Sequence, residues 1–176
     1  QETTEGSGLT YIGHSSGAVF IDYDLDGLLD VVVTNVGQYT LEEQGEGGYY
    51  VGLEDAFEGH LYPERNEASR LYRNVGNNRF VDVTEEAGLG DLGWNGDAAL
   101  VDLDGNAIPD LYVLYIQGDD HYLVNPGDGR FADRTCDYSS KTPYGAMGTG
   151  ASDFANDGHP SPLITAVHPD SHAPLP

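Results

Sequence analysis

The sequence predicts an all-β domain made of short antiparallel strands, and three observations predict it. Gly supplies 24 of the 176 residues and Tyr supplies 12, a composition that favours tight turns and β-strands. A short apolar run ending in an acidic loop occurs three times, at 18–35, 98–115 and 151–167. A hairpin-like segment occurs twice, at 71–84 and 122–135. Repetition of this kind indicates a chain that folds as a series of similar β-units.

The acidic loops join one strand to the next. The first copy reads AVFIDYDLDGLLDVVVTN, in which an apolar stretch precedes the Asp-rich turn and the β-rich run 30–35 follows it. The second copy, AALVDLDGNAIPDLYVLY, has the same order, with its β-rich run at 110–115. Runs of this length that are rich in Val, Leu and Tyr are typical of strands. Each copy therefore predicts two strands connected by an acidic turn.

The second repeated element is a hairpin. LYRNVGNNRFVDVT (71–84) and YLVNPGDGRFADRT (122–135) align without gaps, and Asn125 lies 51 positions after Asn74. The Asn and Gly residues at their centres suit the positive φ angles of hairpin turns. The following stretch, VTEEAGLGDLGW (83–94), predicts no more than one helical turn because three glycines interrupt it.

The spacing of the repeats predicts the domain organisation. The first Asp residues of the three loops, Asp22, Asp102 and Asp153, are 80 and 51 positions apart, and the longer interval contains an insertion at roughly 38–68 that is rich in Gly, Glu and Tyr. Repeats of about 40–50 residues with several short strands each are typical of β-propeller blades. We therefore predict one β-repeat domain over 1–176, with about three blades. The predicted boundaries are roughly 10–84, 85–135 and 136–170, followed by a C-terminal tail at 171–176.

The net charge of −23 excludes several classes of partner. Seven basic residues cannot neutralise a phosphate backbone or an anionic membrane surface, so we expect no nucleic-acid partner and no membrane binding. No apolar run approaches the roughly 20 residues of a membrane-spanning helix, so we expect no membrane insertion. The chain begins at Gln1 without Met, which fits the processed N-terminus of an exported protein and equally fits a fragment of a longer chain. Cys136 is the single cysteine, and a lone cysteine is more often a small packed side chain than a nucleophile.

The first acidic loop has the spacing of a calcium site. Carboxylates at positions 1, 3, 5 and 9 of DYDLDGLLD can converge on one point, Gly27 permits the sharp turn, and the carbonyl at position 7 can add an oxygen. Four unneutralised carboxylates held so close would repel one another. An EF-hand is excluded, because it requires flanking helices and Glu at position 12, where this chain has Val33. A metal-free acidic turn stays open as an alternative. The predicted ligands are Asp22, Asp24, Asp26, Leu28 and Asp30.

The other two loops keep part of this pattern. In the second loop Ala107 replaces the glycine, which predicts a strained turn. In the third loop Ala155 and Ser161 stand at positions 3 and 9, so we expect weak or absent metal binding there. The predicted ligands are Asp102, Asp104, Asn106, Ile108 and Asp110 in the second loop, and Asp153 and Asp157 in the third.

Together these elements resemble the FG-GAP/VCBS-type repeats of integrin-α-like β-propellers. The resemblance is closest to bacterial secreted proteins with the ASPIC/UnbV-associated, cartilage-acidic-protein-like arrangement. It is carried by AVFIDYDLDGLLDVVVTN followed by LYRNVGNNRFVDVTEEAGL, and it covers roughly residues 10–36 and 69–168. The resemblance implies a propeller, Ca²⁺ in the acidic loops, export from the cytoplasm, and a role in adhesion or as a scaffold.

The number of blades departs from that family. A closed ring of this type needs about seven blades, within the usual range of propellers, whereas this sequence supplies about three. We therefore expect an incomplete ring, either as a piece of a longer chain or as a subunit whose edges pair with copies of itself into oligomers or filaments. Two functions follow: a calcium-binding extracellular assembly protein, or a calcium-stabilised adhesion module that recognises a protein or glycan through propeller-face loops.

We expect no enzymatic activity. The sequence contains no P-loop, GxSxG, HExxH or CxxC motif. His14 beside Ser15 and Ser16 does not by itself make a triad, and the acidic pairs 42–43 and 119–120 do not by themselves make a glycosidase site. His168 and His172 fit a solvated tail better than a transition-metal site. Sugar binding by the insertion tyrosines is an alternative to packing or a subunit contact; they are Tyr39, Tyr49, Tyr50 and Tyr62.

Overall fold

A computed structural model describes residues 4–90, 93–116, 118–143 and 145–166. The helical segments in these ranges are short: 3-10 turns at Ala56–Leu61 and Pro63–Arg65, and an α-helix, α1, at Thr135–Tyr138. None of the described helices is long and apolar enough to cross a membrane. The described strands are β1 (Ser15–Ile21), β2 (Asp30–Asn35), β3 (Thr40–Gln44), β4 (Tyr50–Gly52), β5 (Arg70–Asn74), β6 (Phe80–Asp82), β7 (Asn95–Val101), β8 (Asp110–Tyr115), β9 (His121–Val124), β10 (Ala132–Asp133), β11 (Ala146–Ser152) and β12 (Ser161–Ala166).

The strands form separate antiparallel sheets, none of them closed. The first sheet has the order β1-β2-β5-β6 and the second has the order β7-β8-β9-β10, so each is a four-stranded meander. A third sheet consists of β11 and β12, and the insertion forms a further two-stranded sheet from β3 and β4. The predicted all-β class is therefore confirmed, and the arrangement is consistent with an incomplete β-propeller. We call the first three sheets blade 1, blade 2 and blade 3.

The inner hairpin is the same in all three blades. Each pairs the residue before the acidic loop with the residue at its ninth position: Ile21 with Asp30, Val101 with Asp110, and Ser152 with Ser161. Each also has a register shift at the start of its first strand, six residues before the end of that strand. Because side chains alternate along a strand, equal registers place equivalent residues on equivalent faces.

The core lies between neighbouring blades. Leu71 of blade 1 packs in the same buried cluster as Leu111 and Leu123 of blade 2, and Phe131 completes it. A second cluster joins blade 2 to blade 3 through Val101, Tyr112, Leu114 and Ala146. Burying one such aliphatic side chain stabilises a fold by about 1.5–3 kcal/mol. Neighbouring blades therefore stabilise one another. Strand β8 is buried on both faces because blade 1 covers one face and blade 3 covers the other.

A short segment before each of the first two blades seals its outer strand. The Phe80 amide donates to the Ser7 carbonyl at 2.7 Å, and the Phe131 amide donates to the Ala87 carbonyl at 2.8 Å. A Cβ on Gly88, which has φ +80°, would lie 2.9 Å from the Phe131 carbonyl oxygen, so a side chain is excluded there. Residues 83–90 form turns. The Ala87 amide donates to the Val83 carbonyl, an α-helical type of hydrogen bond that corresponds to the predicted single helical turn.

The insertion forms its own small unit beside blade 1. Strands β3 and β4 pair antiparallel, and the two 3-10 turns follow them. The Gln38 amide donates to the Arg65 carbonyl at 2.7 Å, and Arg65 Nη1 pairs with Asp55 at 2.8 Å. Gly37 and Asn66 form a β-bridge at the base of the insertion. The insertion therefore returns to the blade at the point where it left.

Candidate metal centres

The three acidic loops share one backbone trace. In each loop the fourth and sixth residues have positive φ: Leu25 and Gly27, Gly105 and Ala107, and Asn156 and Gly158. Ala107 adopts φ 65° where the other loops have Gly, which confirms the strain predicted for this position. The turn geometry thus belongs to the repeat and is kept even where the residue type is unfavourable.

Side-chain oxygens inside each loop accept hydrogen bonds from its backbone. The amide of the sixth residue donates to the first Asp at 3.0 Å in loops 1 and 2 and at 2.8 Å in loop 3. The amide of the seventh residue donates to the fifth side chain at 2.8, 2.7 and 3.0 Å in the same order. These bonds turn the side chains toward the inside of the loop, as in Asx turns.

Three carboxylates converge in the first loop. Oxygens of Asp22, Asp24 and Asp30 all lie within 4.8 Å of one another. Asp26 lies outside this group, and its Oδ1 accepts the Leu28 amide at 2.8 Å. Three negative charges at such separations repel one another unless a cation or a proton neutralises them. The loop therefore has the geometry to hold a metal ion.

The second loop repeats the arrangement one blade later. Oxygens of Asp102, Asp104 and Asp110 also lie within 4.8 Å of one another. Asn106 lies beside them, with its Oδ1 accepting the Ile108 amide at 2.7 Å and its Nδ2 donating to Asp104 at 3.2 Å. That the Leu28 and Ile108 carbonyls bind a metal stays a prediction, as does a ligand role for Asp26 and Asn106.

The ninth-position Asp connects each loop to the hairpin of its own blade. Asp30 is fully buried and accepts the amides of Tyr23 at 3.1 Å and Asn74 at 2.7 Å. Asp110, also fully buried, accepts the equivalent amides of Leu103 and Asn125 at 2.7 and 2.6 Å. Burial raises the pKa of both carboxyl groups, while these amides act in the opposite direction. A shift of Asp30 or Asp110 at the metal cluster would therefore also change the hydrogen bonds of the hairpin.

One unsatisfied atom points to a cation. Asp22 Oδ1 is buried and has no hydrogen-bond partner among the described residues. A buried carboxylate oxygen left without a partner is costly, and a metal ion is the partner that a ring of carboxylates suits. The equivalent atom of Asp102 accepts the Gly105 amide at 2.8 Å. The residues of the first loop thus fit a hard divalent cation.

The third loop keeps the turn but not the cluster. Asp153 accepts the amides of Asp157 at 3.1 Å and Gly158 at 2.8 Å, and the Gly158 bond lowers the pKa of its carboxyl group. Ala155 and Ser161 supply no carboxylate. Among the described residues, the three-carboxylate groups are those of the first two loops. Weak or absent metal binding at Asp153 and Asp157 stays the expectation.

Several of the other residues considered for chemistry have structural partners. Ser15 Oγ donates to Asn35 Oδ1 at 2.8 Å and Ser16 Oγ donates to the Asn95 carbonyl at 2.6 Å, so neither is bonded to His14. Asp120 is buried and accepts the Tyr112 hydroxyl and the Tyr115 amide. His168 and His172 lie outside the described residues.

Sequence reasoning missed the role of the hairpin asparagines. Asn125 is fully buried, its amide donates to Asp110, and its Nδ2 donates to the Tyr23 carbonyl of blade 1 at 2.8 Å. Asn74 occupies the same place in blade 1, where its Nδ2 donates to the Leu29 carbonyl at 3.0 Å. The sequence feature that could have indicated this role is the recurrence of Asn at equivalent positions of the two hairpins, 51 residues apart.

Comparison with known proteins agrees with this architecture. Residues 102–161 match the FG-GAP-like repeat, a span that begins at the first Asp of loop 2 and ends at the ninth position of loop 3. No match was found among curated proteins. Repeats of this type are typical of extracellular adhesion and ligand-binding modules. Residues 102–161, which are 60 of the 176 residues of the chain, are therefore identified as an FG-GAP-like repeat.

Proposed function

We propose that this protein is a calcium-binding structural module that acts outside the cytoplasm and assembles through the open faces of its blades. The observation that carries the proposal is the pair of three-carboxylate clusters, one per complete blade, with the unpartnered Asp22 oxygen inside the first. The repeat type supports a location outside the cytoplasm. We also propose that the chain is related to the ASPIC/UnbV-associated proteins.

Calcium is the cation that the donor set fits best. Ca²⁺ takes six to eight oxygen ligands in irregular geometry, whereas Mg²⁺ demands an octahedron and keeps its water. Bound Ca²⁺ would neutralise carboxylates that otherwise repel. The residues that would hold it are Asp22, Asp24 and Asp30, with Asp26 and Leu28 adjoining, and Asp102, Asp104 and Asp110, with Asn106 and Ile108 adjoining.

Assembly is supported by apolar surface on blade 3. Met147, Phe154 and Leu163 are 53, 59 and 56% exposed. Large apolar side chains that stay exposed on one two-stranded sheet and its loop are candidates for an interaction surface. The first two blades cover each other and β7 packs on β11, whereas no further blade covers blade 3 within the described residues. A second copy, or a further blade, would bury these side chains, and neutralising the loops would reduce the repulsion between chains of charge −23.

Equilibrium dialysis against about 1 mM calcium, followed by metal analysis, tests the ligand assignment. We expect about two ions per chain, one for each three-carboxylate cluster. Asp24→Asn and Asp104→Asn should each remove one ion, while Asp157→Asn, at position 5 of the third loop, should remove none. A protein that retains no calcium, or that loses none in the Asp24 and Asp104 variants, would refute the proposal.

Sedimentation velocity tests assembly separately. Calcium should shift the protein to larger species in a concentration-dependent way, and Met147→Ser with Leu163→Ser should prevent the shift. A protein that is monomeric at every concentration with calcium bound would remove the assembly function and leave the calcium sites standing.

A second candidate function is supported by the insertion. Tyr50 on β4 is 58% exposed, whereas Tyr39 packs against His14 and Tyr62 lies under the Arg65 guanidinium. Exposed tyrosines are typical of binding surfaces because they are large, amphipathic and rigid. This observation favours a module that binds another molecule through the insertion.

A further inference from the structure

A groove of about 740 Å³ lies between the segment before β1 and the insertion hairpin. We call it the insertion groove; it is lined by Ile12, His14, Tyr39, Thr40, Glu42 and Tyr50, among others. Ile12 is 96% exposed and Tyr50 is 58% exposed, so the groove has an apolar and aromatic rim open to solvent. It contains none of the acidic-loop residues.

The floor of the groove is held in place by hydrogen bonds. His14 Nδ1 lies 2.7 Å from Glu67 Oε1, and its Nε2 lies 2.8 Å from Thr40 Oγ1. Glu67 Oε2 also accepts the His14 amide at 2.6 Å, and the Tyr39 ring centre lies 4.4 Å from that of His14. These contacts tie the insertion to the segment before β1. A preformed floor reduces the entropy that ligand binding would cost.

The charge of the groove selects its ligand. Two carboxylates, Glu42 and Glu67, line it, and none of the described lining residues is Lys or Arg. Carboxylates beside tyrosine faces attract cations, by charge and by the quadrupole of the ring. A second copy of this chain is a poor occupant because it has 30 acidic and only 7 basic residues. The groove therefore favours a cationic partner that is not this chain.

Two arginines of this chain already place their guanidinium groups over tyrosine rings. Arg65 lies 3.9 Å above the centre of the Tyr62 ring while its Nη1 contacts Asp55 at 2.8 Å. Arg70 lies over Tyr11 at 4.8 Å. In the insertion groove, the tyrosine and carboxylate are present without an arginine among the lining residues.

We propose that the insertion groove binds an arginine-bearing segment of another protein, with the Tyr50 ring against the guanidinium and Glu42 pairing with it. This inference rests on the second candidate function and names its site and ligand class. It does not depend on calcium, because the groove and the acidic loops share no residue. Binding that persists in chelator, in protein shown to be folded by circular dichroism, would separate this proposal from the calcium proposal.

The test uses calorimetric titration of the full chain with the peptide acetyl-Gly-Arg-Arg-Gly-Arg-amide at about 0.15 M salt, which screens diffuse attraction. The same peptide with citrulline at each arginine is the neutral control. We expect binding of the arginine peptide and a loss of about tenfold in affinity in Glu42→Gln and in Tyr50→Ala, as for one charge-assisted contact.

The chain supplies a matched control for each variant. Glu43→Gln removes the same charge from the neighbouring position of β3, and Tyr49→Ala removes the same ring from the position next to Tyr50; neither residue lines the groove. Both should change affinity less than twofold. Equal losses within each pair would show diffuse attraction and overturn the proposal. So would absence of binding, equal binding of the citrulline peptide, or selective binding of a neutral oligosaccharide such as cellohexaose that Tyr50→Ala abolishes.

Discussion

Single residues in the acidic loops determine how much strain each loop carries. The sixth position has positive φ in all three loops, and two of them meet this requirement with Gly27 and Gly158. Ala107 meets it with a Cβ that makes the left-handed conformation costly, by about 1–2 kcal/mol. The second loop is therefore built against a local preference, and neighbouring hydrogen bonds, such as Ala107 to Asp102 at 3.0 Å, hold it there.

Ala107→Gly should stabilise the protein. Gly adopts φ 65° without a steric penalty, so we expect a gain of about 0.5–1 kcal/mol after the larger entropy of the unfolded chain is counted. Ala18→Gly, at an exposed position of β1, is the matched control and should destabilise by a similar amount. The free energy of unfolding in urea measures both. A loss of stability in both variants would contradict the strain at Ala107.

At the scale of elements, the hairpin asparagines connect acidic loops to strands. Asn125 joins the second loop to blade 1, since its amide donates to Asp110 and its Nδ2 donates to the Tyr23 carbonyl. Asn74 makes the corresponding contacts within blade 1 and is partly exposed. Equivalent asparagines in the repeat are thus expected to contribute different amounts to the free energy of unfolding, because a neighbouring blade buries one and not the other.

Asn125→Ala should cost more than Asn74→Ala. The first leaves the buried Tyr23 carbonyl without its partner, for which we expect a loss of about 2–3 kcal/mol, and the second leaves a more exposed carbonyl, for about 1 kcal/mol. Urea denaturation at saturating calcium gives both values. Equal losses would mean that the contact between blades 1 and 2 does not depend on Asn125.

The repeat pattern predicted these elements well, and its failures have physical causes. The acidic hairpins, the turn glycines and the strain at Ala107 all follow from local backbone requirements, which a sequence displays directly. The His14–Glu67–Thr40 floor joins residues up to 53 positions apart and needs the folded insertion to exist. The sealing of Phe80 and Phe131 by upstream carbonyls is backbone bonding, which no side-chain pattern reports.

At the scale of the whole molecule, blades that share cores compensate for a large surplus of negative charge. The clusters that span blades 1, 2 and 3 supply apolar burial, while 30 acidic residues against 7 basic ones oppose compaction. Six of these acidic residues form the two three-carboxylate clusters, which lie in the loops that join β1 to β2 and β7 to β8. Neutralising those loops is the change that would stabilise the entire incomplete ring.

We propose that calcium in the first two loops stabilises the fold, and the direct test is a thermal melt in chelator and in about 1 mM calcium. A ligand that binds only the folded state raises the melting temperature, by about 5–10 °C for one site filled at ~100 times its Kd in a domain of this size. We expect such a rise, reduced in Asp24→Ala and unchanged in Asp157→Ala. Equal melting temperatures in chelator and calcium would contradict the account and leave the loops as metal-free acidic turns.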